Sequence, residues 1–314
     1  MRIGGAVSIL TTTAFLSILG LFSGLFAPPT ALPPRPWVIA HRGASAYAPE
    51  NTVAAFERAI EQGATFVEFD VRRTRDGELI VLHDDTLERT TNAAEVFPDR
   101  FRETVRDGKT SRRWPLEDFT LAELRRLDAG AWFNARFAGA RVPTLTETIA
   151  AVRGRCGLFI EIKSPDVYPG IERQVIEALR QAGLDQPGAD ARTPVVIQSF
   201  SAASLEVFAR DLRTPLPLHF LFGRDDAAKW LSPEGLLRVR AFATGLSPHR
   251  SVLGEHLDAI AHAQSMGMPV TPWTFRVDAD FDAEKLRGEM ERFLRELRVD
   301  GVITDNPDLA AKPR

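Results

Sequence analysis

Two carboxylates alternate along one apolar segment of the chain. Glu68 and Asp70 are separated by a single residue within the segment Phe66–Val71. Residues two apart in a β-strand point to the same face, so both carboxylates would share one side of a predicted strand. Burying two negative charges together is costly unless a cation neutralises them. We therefore interpret the pair as metal ligands; the alternative is a solvent-facing pair on an edge strand, which the apolar neighbours disfavour.

A third carboxylate has the same spacing from a lysine in a later apolar segment. Glu161 and Lys163 are two residues apart within Leu158–Lys163 and would also share one face. Glu161 would then be a third metal ligand, and the Lys163 ammonium would hold a phosphate oxygen. The alternative is an ion pair between these two side chains inside the fold. Because the ligands would all be oxygen atoms, the set favours one divalent cation, Ca²⁺ or Mg²⁺, over zinc.

Two histidines end other apolar segments. His41 ends Trp37–His41 and is followed by Arg42, so this position offers an acid or base beside a cation that can bind phosphate. His83 ends Leu79–His83. Two histidines across a phosphodiester can divide the proton transfers, one accepting a proton and the other donating one to the leaving alcohol. The alternatives are a surface pair for His41 and Arg42 and a structural role for His83.

The remaining polar groups have structural interpretations. Asn51 is expected to cap the helix that follows it rather than to contact substrate. Glu50 would lie nearer the active face, behind the groups that contact substrate. Cys156 is the single cysteine and is expected to be a small core residue, so no internal disulfide can form. The other histidines lie in no comparable cluster and are expected to be structural or solvent-exposed: His219, His249, His256 and His262.

Short apolar runs alternate with helical stretches from residue 37 onward. This alternation predicts an α/β fold with a parallel sheet, and the length suits a (β/α)8 barrel whose active face lies at the carboxyl ends of the strands. The predicted strands are Trp37–His41, Phe66–Val71, Leu79–His83, Leu158–Lys163, Val195–Phe200, Leu218–Phe222, Phe242–Leu246, Val270–Phe275 and Gly301–Thr304. The predicted helices are Asn51–Gln62, Leu121–Leu127, Thr144–Val152, Ile171–Ala182, Ala203–Arg210, Gly254–Met266 and Glu284–Leu297.

These strands exceed the eight of such a barrel by one, and a turn signal explains the excess. Asp76-Gly77 lies between two strand-like runs, which is typical of a two-residue hairpin turn. Leu79–His83 would then run antiparallel to the strand before it, as an arm outside the barrel. Such a turn would place His83 directly opposite Asp70, with both side chains on the same face.

An insertion at about residues 92–118 has neither strong periodicity nor a strand pattern. It carries Phe97, Phe101 and Trp114 among many charged residues. Loops of this length often form lids or small subdomains. If these aromatic side chains were exposed on the active face, they could admit acyl chains; if buried, they would serve only packing.

The amino-terminal segment differs from the rest of the chain. Residues 3–27 are apolar and uncharged, which predicts a signal peptide or an N-terminal membrane anchor. Prolines up to residue 36 form a spacer, and the barrel domain would occupy residues 37–314. We expect an exported protein whose leader could associate with a membrane. The net charge of −3 gives no basic field for nucleic acid, so no nucleic-acid partner is expected.

Ten short motifs, from about residue 37 to residue 309, occur in an order and at spacings that resemble the glycerophosphodiester phosphodiesterase family. They are His41-Arg42-Gly43, Pro49-Glu50-Asn51-Thr52, Glu68-Phe69-Asp70-Val71, His83-Asp84-Asp85, Leu127-Asp128-Ala129-Gly130, Pro143-Thr144-Leu145, Glu161-Ile162-Lys163, Gln198-Ser199-Phe200, Trp273-Thr274 and Gly301-Val302-Ile303-Thr304-Asp305-Asn306-Pro307. No single motif is decisive, whereas ten in order are highly specific.

The resemblance implies a distorted TIM barrel, like that of phosphatidylinositol phosphodiesterases, and a metal-dependent phosphodiesterase activity. A small-molecule glycerophosphodiester would be cleaved to glycerol 3-phosphate and an alcohol. The resemblance implies metal binding by Glu68, Asp70 and Glu161, and catalysis by His41 and His83. It implies phosphate binding by Arg42 and Lys163, with Gln198 and Trp273 lining the substrate side.

Several alternatives stay open on the sequence alone. A lysophospholipase D-like activity on lysophospholipids, or a phosphatidylinositol-specific lipase-like activity, would use the same barrel, and the apolar leader could hold the enzyme near lipid. A non-catalytic barrel that binds glycerophosphodiesters would require the loss of a catalytic group, yet all of these groups are present. A membrane-anchored scaffold would rest on residues 3–27 alone and would leave the acids unexplained. The nucleophile is either water or the neighbouring glycerol hydroxyl of the substrate, and which histidine serves as base is open.

Overall fold

The computed structural model describes residues 32–106 and 108–310, together with Met1. The predicted signal peptide or membrane anchor, residues 3–27, lies outside these described residues, and the division at residue 36 stays a prediction. None of the helices in the described ranges combines the length and the apolar composition needed to cross a membrane.

The strands and helices follow the alternation predicted from the sequence. The strands are β1 (Trp37–Ala40), β2 (Phe66–Arg73), β3 (Leu79–Val81), β4 (Arg102–Arg106), β5 (Lys109–Arg113), β6 (Gly157–Ile162), β7 (Val195–Ser199), β8 (Leu218–Phe222), β9 (Gly245–Pro248) and β10 (Gly301–Thr304). The α-helices are α1 (Val53–Glu61), α2 (Ala93–Val96), α3 (Leu121–Leu124), α4 (Leu145–Val152), α5 (Ile171–Gln181), α6 (Ala202–Glu206), α7 (Ala227–Trp230), α8 (Pro233–Arg240), α9 (Leu257–Ser265) and α10 (Ala283–Arg295). Short 3₁₀ helices cover Leu116–Asp118, Ala135–Phe137, Pro165–Val167, Arg250–Glu255 and Pro307–Leu309, and Val207–Asp211 is π-helical.

Three of the helices were not predicted. They are α2, which lies in the insertion, and α7 and α8, which lie between β8 and β9. The start of α8 carries a recognisable signal, because the Ser232 side chain accepts from the Gly235 amide and Pro233 occupies the first helical turn. The predicted strand Phe242–Leu246 correspondingly starts later, at Gly245, because Phe242 and Ala243 still bond back to Val239 at the end of α8.

The parallel strands form a closed barrel, as predicted from the sequence. The parallel strands follow the order β10-β1-β2-β6-β7-β8-β9. The predicted strand Val270–Phe275 completes the wall, with bridges from Val270 to Leu246 of β9 and from Phe275 to Thr304 of β10. These bridges are isolated because Pro269 and Pro272 lack the amide protons that a continuous ladder requires. The fold is therefore a TIM barrel, and it is distorted at the segment Val270–Phe275, where the ladder is not continuous.

The arm formed by β3 is antiparallel to β2, as predicted, but its register differs by one residue from the prediction. Val71 pairs with Val81, which sets Asp70 opposite Leu82 instead of His83. The turn contains three residues, not two, because the Thr74 amide already bonds to the Glu78 carbonyl over 3.0 Å. The Thr74 hydroxyl holds this wider turn by bonding to the Asp76 carboxylate over 2.6 Å. The two-residue turn predicted from Asp76-Gly77 was wrong.

The insertion forms a small core that supports the arm. It contains α2 and the hairpin of β4 and β5. Phe97 and Trp114 are buried and Phe101 is partly buried; all three pack with Ile80 and Leu82 of the arm. The indole of Trp114 also donates to the Phe97 carbonyl over 2.8 Å. These aromatic side chains therefore serve packing and offer no surface for an acyl chain.

The barrel interior has two layers along its axis. The lower layer is apolar and contains Trp37, Ile39, Phe66, Phe159, Val196 and Ile303. Residues two and four positions further along the same strands share this inward face. These positions hold the acids predicted to bind metal, together with Lys163 and Gln198. A packed apolar floor thus carries a charged layer at the carboxyl ends of the strands.

Candidate active site

Strand register brings the predicted site residues into one row. Asp70 of β2 pairs with Glu161 of β6, and Glu161 pairs with Gln198 of β7. Glu68 lies two residues before Asp70 on the same strand, and its carboxylate accepts from the Gln198 amide over 3.2 Å. The structure therefore brings together all three acids predicted as metal ligands.

The three acids form a buried group that could hold a metal ion. Carboxylate oxygens of Glu68, Asp70 and Glu161 lie within 4.8 Å of one another. Their residues are only 1%, 1% and 6% exposed. Burial and the charges of the other two acids raise the pKa of Glu68 well above its usual range, and burial raises the pKa of Glu161 to about 7. So much buried negative charge, offered only by oxygen donors, fits a divalent cation.

Two side-chain cations partly neutralise the acids. Lys163 Nζ lies 2.7 Å from Glu161 Oε1 and 3.2 Å from Asp70 Oδ1, while Arg42 Nε lies 3.5 Å from Asp70 Oδ2. Burial alone would raise the pKa of Asp70, but Lys163 and Arg42 lower it overall. The Glu161–Lys163 ion pair that was the alternative for these residues is present, and it lies at the edge of the acid group.

A tight turn after β1 places Arg42 over the acids. Arg42 adopts φ of 53°, and its backbone amide donates to Glu68 Oε2 over 2.8 Å. Gly43 follows with φ of 81°, and a Cβ there would lie 2.6 Å from the carbonyl carbon of Ala55. The His41-Arg42-Gly43 motif therefore combines two functional side chains with a close approach of the backbone to α1.

Both predicted catalytic histidines contact a carboxylate through Nδ1. His41 Nδ1 lies 2.7 Å from Asp305 Oδ1, and His83 Nδ1 lies 2.7 Å from Asp84 Oδ1. A carboxylate at Nδ1 favours the proton on that nitrogen and leaves Nε2 as the acceptor of the neutral ring. Burial lowers the pKa of His83, an effect that the bond to Asp84 partly offsets. His83 also lies close enough to Asp70 for their charges to interact, despite the altered register.

The carboxylate partners of the histidines were not assigned roles from the sequence. Asp84 follows His83 directly in the chain, so the contact between their side chains depends only on the local backbone conformation. Asp305 could have been found from barrel closure, because Ala40 pairs with Thr304 and each is followed by one member of the His41–Asp305 pair. Burial alone would raise the pKa of Asp305, but the charge and hydrogen bond of His41 lower it overall.

Asn51 was wrongly predicted to cap α1. The cap is Thr52, whose side chain accepts from the Ala55 amide. Asn51 has φ of 58°, a left-handed conformation that asparagine adopts more readily than most residues. Its Nδ2 donates to Asp70 Oδ2 over 2.9 Å. The residue thus orients a predicted metal ligand, and Glu50 beside it contacts Arg42 Nη1 over 2.8 Å.

The predicted substrate-lining residues lie on the same side of the barrel. Gln198 is buried against Glu68. Trp273 is partly exposed; its ring packs edge-on against Phe200 and His249, and its indole donates to the Ser247 carbonyl over 2.8 Å. Phe200 is 45% exposed, and no role was predicted for it from the sequence. Together Phe200 and Trp273 form an aromatic wall beside Lys163.

Sequence and structural comparisons identify the relatives of this chain. The sequence matches the glycerophosphoryl diester phosphodiesterase family over residues 41–309. A glycerophosphodiester phosphodiesterase of Bacillus subtilis is 34% identical over 95% of each chain, and one of Caldanaerobacter subterraneus is 37% identical over 86% of this chain and 94% of its own. A phosphodiesterase of Oleispira antarctica, solved in complex with the product sn-glycerol-3-phosphate, is 27% identical with a TM-score of 0.67, over 87% of this chain and 94% of its own.

The barrel and the charged layer at its mouth place the chain among the TIM-barrel enzymes. Because the family match and two relatives above 30% identity span most of the chain, it belongs to the glycerophosphoryl diester phosphodiesterase family. The predicted family, fold and enzyme class are therefore confirmed. The individual roles predicted for the site residues stay predictions.

Proposed function

We propose that the protein hydrolyses glycerophosphodiesters to glycerol 3-phosphate and an alcohol, with one bound Ca²⁺ or Mg²⁺. The observation that carries this proposal is the group of three buried carboxylates flanked by two histidines, each backed by its own acid. The activities named for the relatives support the same reaction, and the complex with sn-glycerol-3-phosphate supports its product.

Glu68, Asp70 and Glu161 would hold the cation. When bound, it would supply Lewis-acid stabilisation of the charge on a phosphate oxygen. In the structure the Lys163 ammonium neutralises Glu161 and Asp70. The same ammonium would bind a phosphate oxygen of the substrate, and Arg42 would offer a second fixed positive charge beside it.

His41 and His83 would perform the two proton transfers. One Nε2 accepts the proton of the nucleophile and the other donates a proton to the leaving alcohol. Asp305 and Asp84 hold the two rings and stabilise the imidazolium that forms during the transfer. The nucleophile is water or the neighbouring glycerol hydroxyl. Accumulation of a cyclic glycerol phosphate would establish the hydroxyl route, and ¹⁸O from water in the product without such an intermediate would establish the direct route.

Neither alternative activity gains support from the described residues. Exposed aromatic side chains in the insertion would have favoured the lysophospholipase D-like reading, but Phe97 and Trp114 are buried and Phe101 is partly buried. The non-catalytic reading required the loss of a functional group, but the two histidines and the three acids are all retained in one site.

We also propose that the protein is exported and acts outside the cytoplasm. This proposal rests on the apolar sequence of residues 3–27, which would serve as a signal peptide or as an anchor in the membrane. Amino-terminal sequencing of the protein recovered from cell fractions tests both points. A new terminus near residue 28 would establish cleavage, and an intact leader in the membrane fraction would establish anchoring. Recovery of the intact chain in the cytoplasm would refute export.

The reaction is tested with the full-length chain after metal removal by a chelator. Release of glycerol 3-phosphate from glycerophosphocholine is assayed with added Ca²⁺ or Mg²⁺. We expect turnover to be lost on chelation and restored by at least one ion. Failure of both ions to restore turnover in a folded sample would refute the proposal.

Substitution of the histidines tests the catalytic pair. We expect His41→Ala and His83→Ala each to lower kcat by at least about 100-fold at saturating metal, because general acid–base catalysis typically contributes that much. His262→Ala in α9 is a suitable control and should keep wild-type kcat. Near-normal turnover in either active-site variant would rule out the two-histidine mechanism.

A further inference from the structure

Arg89 joins two parts of the active site that are far apart in the sequence. Its guanidinium donates to both oxygens of Asp84, over 2.5 and 2.9 Å. It also donates to both oxygens of Glu50, over 2.8 and 2.7 Å. The planar guanidinium thus makes bidentate contacts with two carboxylates at once.

Each carboxylate bound by Arg89 has a second partner in the site. Asp84 Oδ1 lies 2.7 Å from His83 Nδ1. Glu50 Oε1 accepts from Arg42 Nη1 over 2.8 Å. A continuous path of polar contacts therefore leads from the predicted catalytic histidine, through Arg89, to the predicted phosphate-binding arginine.

We propose that Arg89 is a positioning residue that fixes the separation between the His83 imidazole and the Arg42 guanidinium. The inference rests on the proposed function, in which both side chains act on one phosphodiester. Arg42 lies in the turn after β1, whereas His83 lies after the arm strand β3. Arg89 ties these two segments together by contacts that no local turn could provide.

Electrostatics favour the bridge. Glu50 and Asp84 carry like charges that would repel each other without a shared cation. Burial alone would raise the pKa of both acids, but hydrogen bonds from Arg89 to each, and from His83 to Asp84, lower them overall. The hydrogen bonds that Arg89 donates to Glu50 and Asp84 correspondingly raise the pKa of Arg89. Arg89 thereby keeps both carboxylates ionised and in place.

The substitution Arg89→Lys distinguishes an effect of the positive charge from an effect of the planar shape of the guanidinium. Its ammonium would keep the positive charge but lacks the planar fork that pairs with two carboxylates. If Arg89 acts by positioning, Arg89→Lys must impair the enzyme although the net charge is unchanged. A purely electrostatic role would leave Arg89→Lys close to wild type.

The first test is the kinetics of the full-length, metal-saturated enzyme on glycerophosphocholine. We expect Arg89→Lys to lower kcat by roughly 10- to 100-fold, with a smaller change in KM, because misplacement by about 1 Å can cost that much. The matched control is Arg102→Lys, since Arg102 bridges Glu117 and Asp118 and is 54% exposed where Arg89 is 43% exposed. The control should stay within about twofold of wild type, the range expected for a surface change away from the site. An unchanged kcat in Arg89→Lys would overturn the proposal.

A double-mutant cycle shows whether Arg89 acts through Asp84. In an Asp84→Asn background the path to His83 is already broken, so Arg89→Lys should cost much less than it does in the wild type. Fully additive losses would show that Arg89 acts by another route and would overturn the proposal.

A readout that needs no turnover separates this inference from the proposed function. Nuclear magnetic resonance of the imidazole follows the titration of His83, which is faced by Asp84, Asp70, Arg42 and Lys163. In Arg89→Gln, Asp84 loses its guanidinium partner and attracts the His83 proton more strongly, so the pKa of His83 should rise; in Arg102→Gln it should stay unchanged. An unchanged His83 titration in Arg89→Gln would overturn the inference even in an active enzyme. A raised His83 pKa in Arg89→Gln, together with no turnover in the metal-supplied wild-type protein, would support the bridge while refuting the proposed function.

Discussion

Three acidic residues concentrate negative charge where solvent cannot screen it. Glu68, Asp70 and Glu161 are buried, and only one member of the group keeps a lowered pKa. Asp70 is that member because Lys163, Arg42 and Asn51 all contact its carboxylate. The other two acids hold their protons more tightly, which links cation binding to proton release.

Metal affinity should therefore depend on pH. A cation requires ionised ligands, so binding expels protons from Glu161, whose pKa is about 7, and from Glu68. We expect affinity to weaken as the pH falls below about 7, by about tenfold per pH unit for each proton released. Titration calorimetry of the metal-free protein in buffers of different ionisation enthalpy measures this release. Heats that do not depend on the buffer would contradict the prediction.

Spacing alone predicted the acid group but not the residues that orient it. The two-residue intervals of Glu68 with Asp70 and of Glu161 with Lys163 encode a shared strand face, which is a local property. The contact of Asn51 with Asp70 depends on a left-handed backbone conformation and on the packing of α1 against the barrel. Neither the backbone conformation nor the packing can be recognised from the sequence Asn51-Thr52, in which both residues are potential helix caps.

The loop between β1 and α1 shows how an element positions a functional residue. Gly43 has no room for a side chain beside Ala55, and its φ is positive. We expect Gly43→Ala to destabilise the protein by about 1–3 kcal/mol more than a positive φ alone would, because of overpacking against the Ala55 backbone. Displacement of Arg42 next to it should also lower kcat.

Gly139 provides the matched control for this prediction. Its φ is 90°, similar to that of Gly43, but a Cβ there would contact nothing within 4 Å. Gly139→Ala therefore measures the conformational cost without the clash. Urea unfolding of both variants gives the difference in the free energy of unfolding. Equal losses in the two variants would show that space at Gly43 does not matter.

The arm illustrates the limit of turn-based prediction. Asp76-Gly77 correctly predicted a hairpin and an antiparallel strand. Its length was wrong because the Thr74 hydroxyl bonds both Asp76 and the Glu78 amide, which widens the turn by one residue. His83 still reaches the site because it lies beyond the end of β3, where the chain is free of the ladder that ends at Val81.

At the scale of the whole molecule, alternating strands and helices were sufficient to predict the barrel. The apolar floor and the charged upper layer follow from one inward-facing register on each strand, so they could also be anticipated. The path from His83 through Arg89 to Arg42 could not, because it joins two loops, one after β1 and one after β3, whose approach depends on how both strands assemble against β2. Contacts of this kind are a property of the assembled fold.

A titratable group, His219, lies in the floor of the barrel and makes the acid dependence of stability predictable. His219 is fully buried between Trp37 and Phe159, and burial lowers its pKa to about 3. An unfolded histidine binds a proton near pH 6.5, so the unfolded state gains protons first as the pH falls. The stability contribution of the neutral ring is complete above about pH 6.5 and is lost progressively down to about pH 3.

Replacing this histidine should flatten the acid limb of the stability profile. We expect His219→Gln to lose less free energy of unfolding than the wild type between about pH 6.5 and pH 4, because glutamine binds no proton. Urea unfolding across this range measures the two slopes. His256→Gln, outside the barrel, is the control and should keep the wild-type slope. Equal slopes for His219→Gln and the wild type would refute the assignment.

Proline interrupts the hydrogen bonding of the barrel-wall segment at residues 270–275. Isolated bridges join it to β9 and β10, while its neighbours share continuous ladders. Pro272 has no amide proton to bond across to β10, so we expect the amides of Thr271 and Trp273 to exchange with solvent earlier than those of the continuously paired strands β2 and β6. Local opening of this segment would then move the Trp273 ring, which lies at the proposed substrate side of the barrel.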